Sequence, residues 1–187
     1  MDVIASAPDV AERRESPRNR AASIAATIEV APELEAQGIL LDVELLNRRH
    51  AIETAAAAIC RKHGLNGYCV AQALWSRELA GSTALGGGVA IPHARFGAIS
   101  QPVVLFIRPK WAIDFDAPDG KPVEMILVVL VPSAGNPEDH LKLLKAIAEK
   151  FADPVLRADL MEHRGSDDAW RSFAAWMRQL TGWNSGH

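Results

Sequence analysis

The stretch Arg77-Glu-Leu-Ala-Gly-Ser-Thr-Ala-Leu-Gly-Gly-Gly-Val-Ala-Ile-Pro-His-Ala94 holds most of the chain's potential for chemistry. Its spacing predicts a helix that ends before Gly81, a glycine-rich loop, and a short strand that delivers Pro92 and His93. Gly81, Gly86, Gly87 and Gly88 lack side chains, so the backbone there can turn sharply and approach another molecule closely. The proline restricts the backbone just before His93. An imidazole with an ordinary pKa of about 6.5 is mostly neutral near pH 7, so one ring nitrogen keeps a free lone pair. A ring presented in this way is a candidate nucleophile.

Familiar phosphate and metal motifs do not fit. Gly81 and Gly86 have P-loop separation, but Gly87 stands where the lysine should follow. Gly86 and Gly88 begin a G-x-G-x-x-G pattern, but Ile91 occupies the third glycine position and the loop leads into a strand. There is no H-E-x-x-H. Counted from Asp114, the acidic run through Asp116, Asp119 and Gly120 misses calcium-loop spacing, with Gly120 at position 7 and Met125 at position 12. It reads as a turn. No metal and no cofactor are expected. Ser82 and Thr83 offer hydroxyls that either donate to a bound anion or stabilise the turn.

The elements that must position this stretch can be read on either side of it. Ile39–Val43 reads as a strand. Ile52, Ala55, Ala56, Ile59 and Cys60 form one helical stripe within a helix from about Asn47 to His63, stopped by Gly64. A second helix, about Gly67–Ala80, turns Val70, Ala73 and Leu74 inward. Val89–Ile91, Val103–Ile107 and Glu124–Val131 are short and rich in branched residues, as strands are. The last is apolar enough to be a central strand covered on both faces. Trp111–Phe115 alternates like an edge strand.

Asn136-Pro137 pairs an N-cap with an N1 proline. Leu141, Leu144, Ile147, Ala148 and Phe151 follow as a helical stripe. Asp153-Pro154 and Ser166 start two more helices, the last burying Trp170, Phe173, Met177 and Leu180. Strands and helices are not strictly interleaved. The expected fold is therefore α/β of the α+β kind: a three-layer sandwich whose central mixed parallel/antiparallel sheet carries helices on both faces. Residues 1–33, rich in Ala, Ser and Pro, read as a flexible extension, and 34–187 as the domain.

Composition narrows the function. With 20 Lys and Arg against 23 Asp and Glu, the formal charge of −3 argues against a nucleic-acid-gripping domain. A 49% hydrophobic content supports a real core. Cys60 and Cys69 are too few for a disulfide scaffold or a cysteine zinc site and default to small apolar packing. No segment reaches the roughly 18 consecutive apolar residues of a membrane helix. Asp2 stands where a signal peptide would carry positive charge. A soluble, unexported, cytoplasmic protein is expected, with no nucleic acid and no membrane insertion. His50, His63, His163 and His187 read as bystanders, and Trp111, Trp170 and Trp176 as core.

Three segments carry a family resemblance. Gly81–His93 resembles the active-site segment of enzyme IIA proteins of the bacterial phosphotransferase system, fructose/mannitol class. Ile113-Asp-Phe-Asp-Ala-Pro-Asp-Gly-Lys-Pro-Val123 resembles a second segment, typical of the nitrogen-regulatory (PtsN-like) branch. Asp139-His-Leu141 resembles a third. Gly87 and Ala94-Arg95 depart from the residues frequent in the family. The resemblance implies that His93 accepts a phosphoryl group on Nε2 from a histidine-containing phosphocarrier protein. It implies that Arg77 stabilises the phosphoryl charge and that His140 hydrogen-bonds the group or orients His93. Ser82, Thr83, Gly86, Gly87 and Gly88 are the phosphate-loop candidates. The output implied is regulation of potassium transport components or sensor kinases. The alternatives are a sugar-specific IIA component and a binding module that kept the fold without phosphorylation.

Overall fold

The computed structural model describes residues 38–162 and 168–181. The extension before residue 34, the Ser166 cap, His163 and His187 lie outside the described residues. In chain order the elements are β1 (Ile39–Val43), α1 (Arg48–His63), α2 (Gly67–Leu79), β2 (Ala84–Gly86), β3 (Val89–Ala90), β4 (His93–Phe96), β5 (Val103–Pro109), β6 (Met125–Pro132), α3 (Pro137–Ala152), α4 (Pro154–Glu162) and α5 (Asp168–Thr181).

The sheet runs β1-β5-β6-β3-β2, and β4 also pairs with β6. β6 is antiparallel to β5 and parallel to both β3 and β4. β3 and β4 therefore act as one interrupted strand along the same edge of β6, broken at Ile91-Pro92. β1 joins β5 in parallel. The sheet is mixed, as expected.

Strand alternation divides the core in two. Leu40, Leu105, Ile107, Ile126, Val128 and Leu130 face α1 and α2. Ile39, Val104, Phe106, Leu127, Val129 and Val131 face α3, α4 and α5. A strand with helices over both faces has no solvent side, which is why β6 is apolar from Met125 to Val131. On the second face Phe106 touches Phe151, Trp170 and Phe173 at ring-centroid separations of 6.4, 5.6 and 5.0 Å.

Local signals placed the helix ends. The Asn47, Asn66 and Asn136 side chains accept backbone N–H groups at the starts of α1, α2 and α3. Gly64 closes α1 in the left-handed conformation, φ 67°, and its N–H bonds the Cys60 carbonyl.

Four expectations need correction. Trp111 is exposed rather than core. Trp111–Phe115 forms a single bridge, Ile113 to Val123, instead of a strand. Its Phe115 carbonyl is taken by the Ser82 hydroxyl, and the chain then turns where the Asp116 N–H bonds the Asp114 carboxylate. Leu141 is exposed because the buried stripe of α3 is centred on Leu143, Ile147 and Phe151, with Leu144 and Ala148 at its border. Cys69 is exposed, whereas Cys60 is partly buried against the core.

Candidate active site

His93 opens β4 opposite Val129 of β6. Strand pairing thus carries its backbone into the sheet while the ring stays partly exposed at the edge of α2's C-terminus. Two contacts define the ring. Its Nδ1 lies 2.7 Å from the Ile91 carbonyl oxygen, and its Nε2 lies 3.1 Å from the Arg77 Nε. A carbonyl oxygen can only accept, and an arginine Nε–H can only donate. The proton is therefore on Nδ1, and Nε2 holds the lone pair.

The same ring resists protonation. Burial pushes the His93 pKa from 6.5 down to about 4, opposed by the Ile91 carbonyl and assisted by Arg77 and His140. The positive charge of an imidazolium loses more by desolvation than the carbonyl returns. His93 is consequently neutral, with a single tautomer, near pH 7.

Arg77 comes from the last turn of α2, sixteen residues before His93. Its Nη1 also donates to the Gly81 carbonyl at 2.9 Å, which aims the guanidinium across the helix end. His140 comes from the first turns of α3. The two imidazole centroids are 5.5 Å apart at an interplanar angle of 51°. Among the described residues, the buried His140 Nδ1 has no hydrogen-bond partner. Burial, Arg95 and Arg77 lower its pKa.

Arg95 accounts for how α3 reaches the site. From β4 its Nη2 donates to the Ser133 and Gly135 carbonyls at 2.6 and 2.5 Å, and the Ser133 N–H bonds the Phe96 carbonyl. These contacts fix the loop between β6 and α3, and with it the position of His140. A cavity of about 90 Å³ lies behind, lined in part by Arg95, Asn136, Asp139 and His140.

The structure thus brings His93, Arg77 and His140 together. It places the glycine run elsewhere. Gly86–Gly88 form the tight β2–β3 turn, all with positive φ, and the Gly87 N–H bonds the Asp119 carboxylate at 2.8 Å. Val89 pairs with Met125 while His93 pairs with Val129. Four residues of β6 amount to about 13 Å at about 3.3 Å per residue, so the run does not surround His93.

Ser82 and Thr83 are engaged in holding the loop. The Ser82 hydroxyl donates to the Phe115 carbonyl at 2.6 Å, and the Thr83 hydroxyl to Glu78 Oε2 at 2.5 Å. Of the bystanders, His50 Nδ1 accepts the Leu46 N–H. Among the described residues, no group of three or more His, Cys, Asp or Glu side chains could hold a metal ion.

Sequence reasoning missed Glu78, which is buried with its carboxylate turned toward Thr83 and Arg48. The signal was present: Val70, Leu74 and Glu78 fall at i, i+4 and i+8, so a carboxylate occupies the buried stripe of α2. A charge at such a position requires partners.

The molecule is an α+β protein whose mixed sheet lies between two helical layers, with two imidazoles and an arginine converging at its edge. The family described as "Phosphoenolpyruvate-dependent sugar phosphotransferase system, EIIA 2" matches residues 34–175. The chain belongs to this family, a phosphotransfer component. It is similar to the nitrogen regulatory protein of Bradyrhizobium diazoefficiens, 36% identical over 140 residues that take in 75% of this chain and 86% of that one. A fructose-specific EIIA component from Haloferax volcanii is 43% identical over 90 residues, 48% of this chain and only 58% of that relative's length. The crystal structure of nitrogen regulatory protein IIA-Ntr from Neisseria meningitidis matches with a TM-score of 0.67 at 36% identity, covering 75% of this chain and 92% of that one. Among the described residues no helix is long and apolar enough to cross a membrane.

Proposed function

We propose that the protein is a cytoplasmic phosphoacceptor of a phosphoenolpyruvate-dependent phosphorelay. His93 receives the phosphoryl group from a histidine-containing phosphocarrier protein. One observation carries the reading: the Ile91 carbonyl holds the proton on Nδ1, so the free lone pair is on Nε2, beside Arg77 and His140.

In the transfer, the bond from His93 Nε2 to phosphorus forms as the donor's nitrogen–phosphorus bond breaks. The electron pair of the broken bond stays on the donor imidazole. Positive charge develops on the His93 ring, and the Nδ1–H to Ile91 carbonyl bond stabilises it. Phosphoryl transfer needs positioning and charge stabilisation more than covalent help. Arg77 exchanges its bond to Nε2 for bonds to the phosphoryl oxygens, charge-assisted and suited to a bidentate grip. His140, with its ring centroid 5.5 Å from that of His93, adds a second donor to the phosphoryl oxygens.

The regulatory output rests on similarity to nitrogen regulatory proteins over three quarters of the chain. The phosphorylation state of His93 would then govern binding to potassium transport components or sensor kinases. A sugar-specific role, in which phosphate passes on to a permease, is the second reading, favoured by the fructose-specific relative.

The test is incubation with enzyme I, the phosphocarrier protein and radiolabelled phosphoenolpyruvate. Wild type is expected to gain acid-labile, base-stable label, and His93→Ala none. Absence of label in wild type, or equal label in the variant, would overturn the proposal. Fast onward transfer to a permease domain would select the second reading.

A further inference from the structure

Glu78 is a buried carboxylate in a chain whose charges mostly face water, and its partners lead to His93. It accepts the Thr83 N–H through both oxygens, at 3.3 and 3.2 Å, and the Thr83 hydroxyl at 2.5 Å. Arg48 of α1 approaches Oε1 at 3.4 Å and supplies the opposite charge. A carboxylate that receives this many donors is desolvated at tolerable cost and holds its neighbours in one geometry.

Thr83 in turn accepts the Ile91 N–H on its carbonyl at 3.0 Å. Ile91 presents its own carbonyl to His93 Nδ1 at 2.7 Å. A continuous path therefore runs from Glu78 through Thr83 and Ile91 to the ring. Glu78 also follows Arg77 directly in the last turn of α2, and the Gly81 N–H bonds the Glu78 carbonyl at 3.2 Å. The Glu78 side chain thus braces Ile91, the partner of Nδ1, while its backbone carbonyl closes the turn at Gly81, whose own carbonyl accepts Arg77.

We infer that Glu78 is a positioning residue for His93, fixing through Thr83 and Ile91 the tautomer whose Nε2 lone pair is free. This deepens the phosphoacceptor reading and rests on it for its effect on transfer. Misplacement of a reacting group by about 1 Å can cost roughly 100-fold in rate. Loosening the path should therefore slow transfer without removing any group that touches phosphorus.

The experiment compares the full chain with Glu78→Gln, Thr83→Val and Thr83→Ser. Ring nitrogen-15 shifts of His93 in the unphosphorylated proteins separate the protonated nitrogen from the lone-pair nitrogen. Single-turnover phosphorylation from the phosphocarrier is measured across pH 6–8. Wild type and Thr83→Ser should show Nδ1 protonated. Glu78→Gln should show a mixture of tautomers and transfer slowed roughly 10- to 100-fold, with Thr83→Val intermediate. A purely structural role would lower Tm in Glu78→Gln and leave the ring shifts and the rate per folded molecule unchanged.

The inference is overturned if both Glu78→Gln and Thr83→Val keep wild-type ring shifts and rates. If Glu78→Gln does not fold, the Thr83 pair decides: an unchanged Thr83→Val overturns it. If wild type takes up no phosphoryl group, the phosphoacceptor reading fails, while the ring shifts still decide whether Glu78 sets the tautomer.

Discussion

The two sides of His93 are built differently. On the α2 side, the loop after the helix is held by the Glu78–Thr83 bonds, by the Ser82 bond to the Phe115 carbonyl, and by the backbone bond from Ile91 to Thr83. On the α3 side, the contact is the tilted face of His140, whose Nδ1 finds no partner among the described residues and behind which a small cavity lies. One side fixes the ring before any partner arrives. Among the described residues, the other leaves the buried His140 Nδ1 without a hydrogen-bond partner. In the proposed phosphoacceptor role this asymmetry keeps His93 oriented while the His140 side changes occupancy.

The largest expected effect breaks the rigid side. Arg77→Ala should lower the phosphorylation rate about 100- to 1,000-fold, the loss seen when one charge-stabilising donor is removed. Arg77 is only partly buried, so Tm should stay close to wild type. Rapid-quench phosphorylation paired with thermal unfolding checks both.

Next is acid. The folded-state pKa of His93 is lowered from 6.5 to about 4, so below pH 6.5 the unfolded chain binds a proton that the folded chain does not. Stability is fully present above pH 6.5 and falls as pH drops toward 4, by up to about 3 kcal/mol from this group at about 1.36 kcal/mol per unit. His93→Asn should therefore show a shallower loss between pH 6.5 and 4 in urea unfolding. The transfer rate should not fall between pH 8 and 6 through protonation of His93.

On the open side, His140→Ala should slow transfer only about tenfold, the value of one hydrogen bond near 1.4 kcal/mol. The folded state should lose little, because His140 Nδ1 contributes no bond there. A loss equal to that of Arg77→Ala would erase the asymmetry. The smallest effect on rate is Ser82→Ala, which removes two neutral bonds, one donated to the Phe115 carbonyl and one accepted from the Ala84 N–H. It should cost about 1 kcal/mol of stability and less than threefold in rate.

Much of this arrangement was legible in the residues. Asn136-Pro137 marked the start of α3, and Gly64 the end of α1, because caps and left-handed turns depend on the few residues that form them. The apolar run of β6 announced a strand covered on both faces. Trp111 and Leu141 misled, since apolar spacing says which residues could be buried but not which helix or strand will cover them. The glycine run misled for a related reason. Gly86–Gly88 are near His93 in sequence, yet β3 and β4 lie end to end along β6 and separate them.

What the sequence alone determined was the inventory and the local geometry: a histidine after a proline, an arginine at a helix end, a histidine one turn into a capped helix, and the periodicities that fold them. The tertiary structure alone decided three things. It turned His93 so that the Ile91 carbonyl selects one tautomer. It brought His140 across from another layer by way of Arg95. It buried Glu78 beneath the loop. Each depends on groups distant in sequence meeting at hydrogen-bond range, a condition set by strand register and by packing on the two faces of the sheet, which no local pattern encodes.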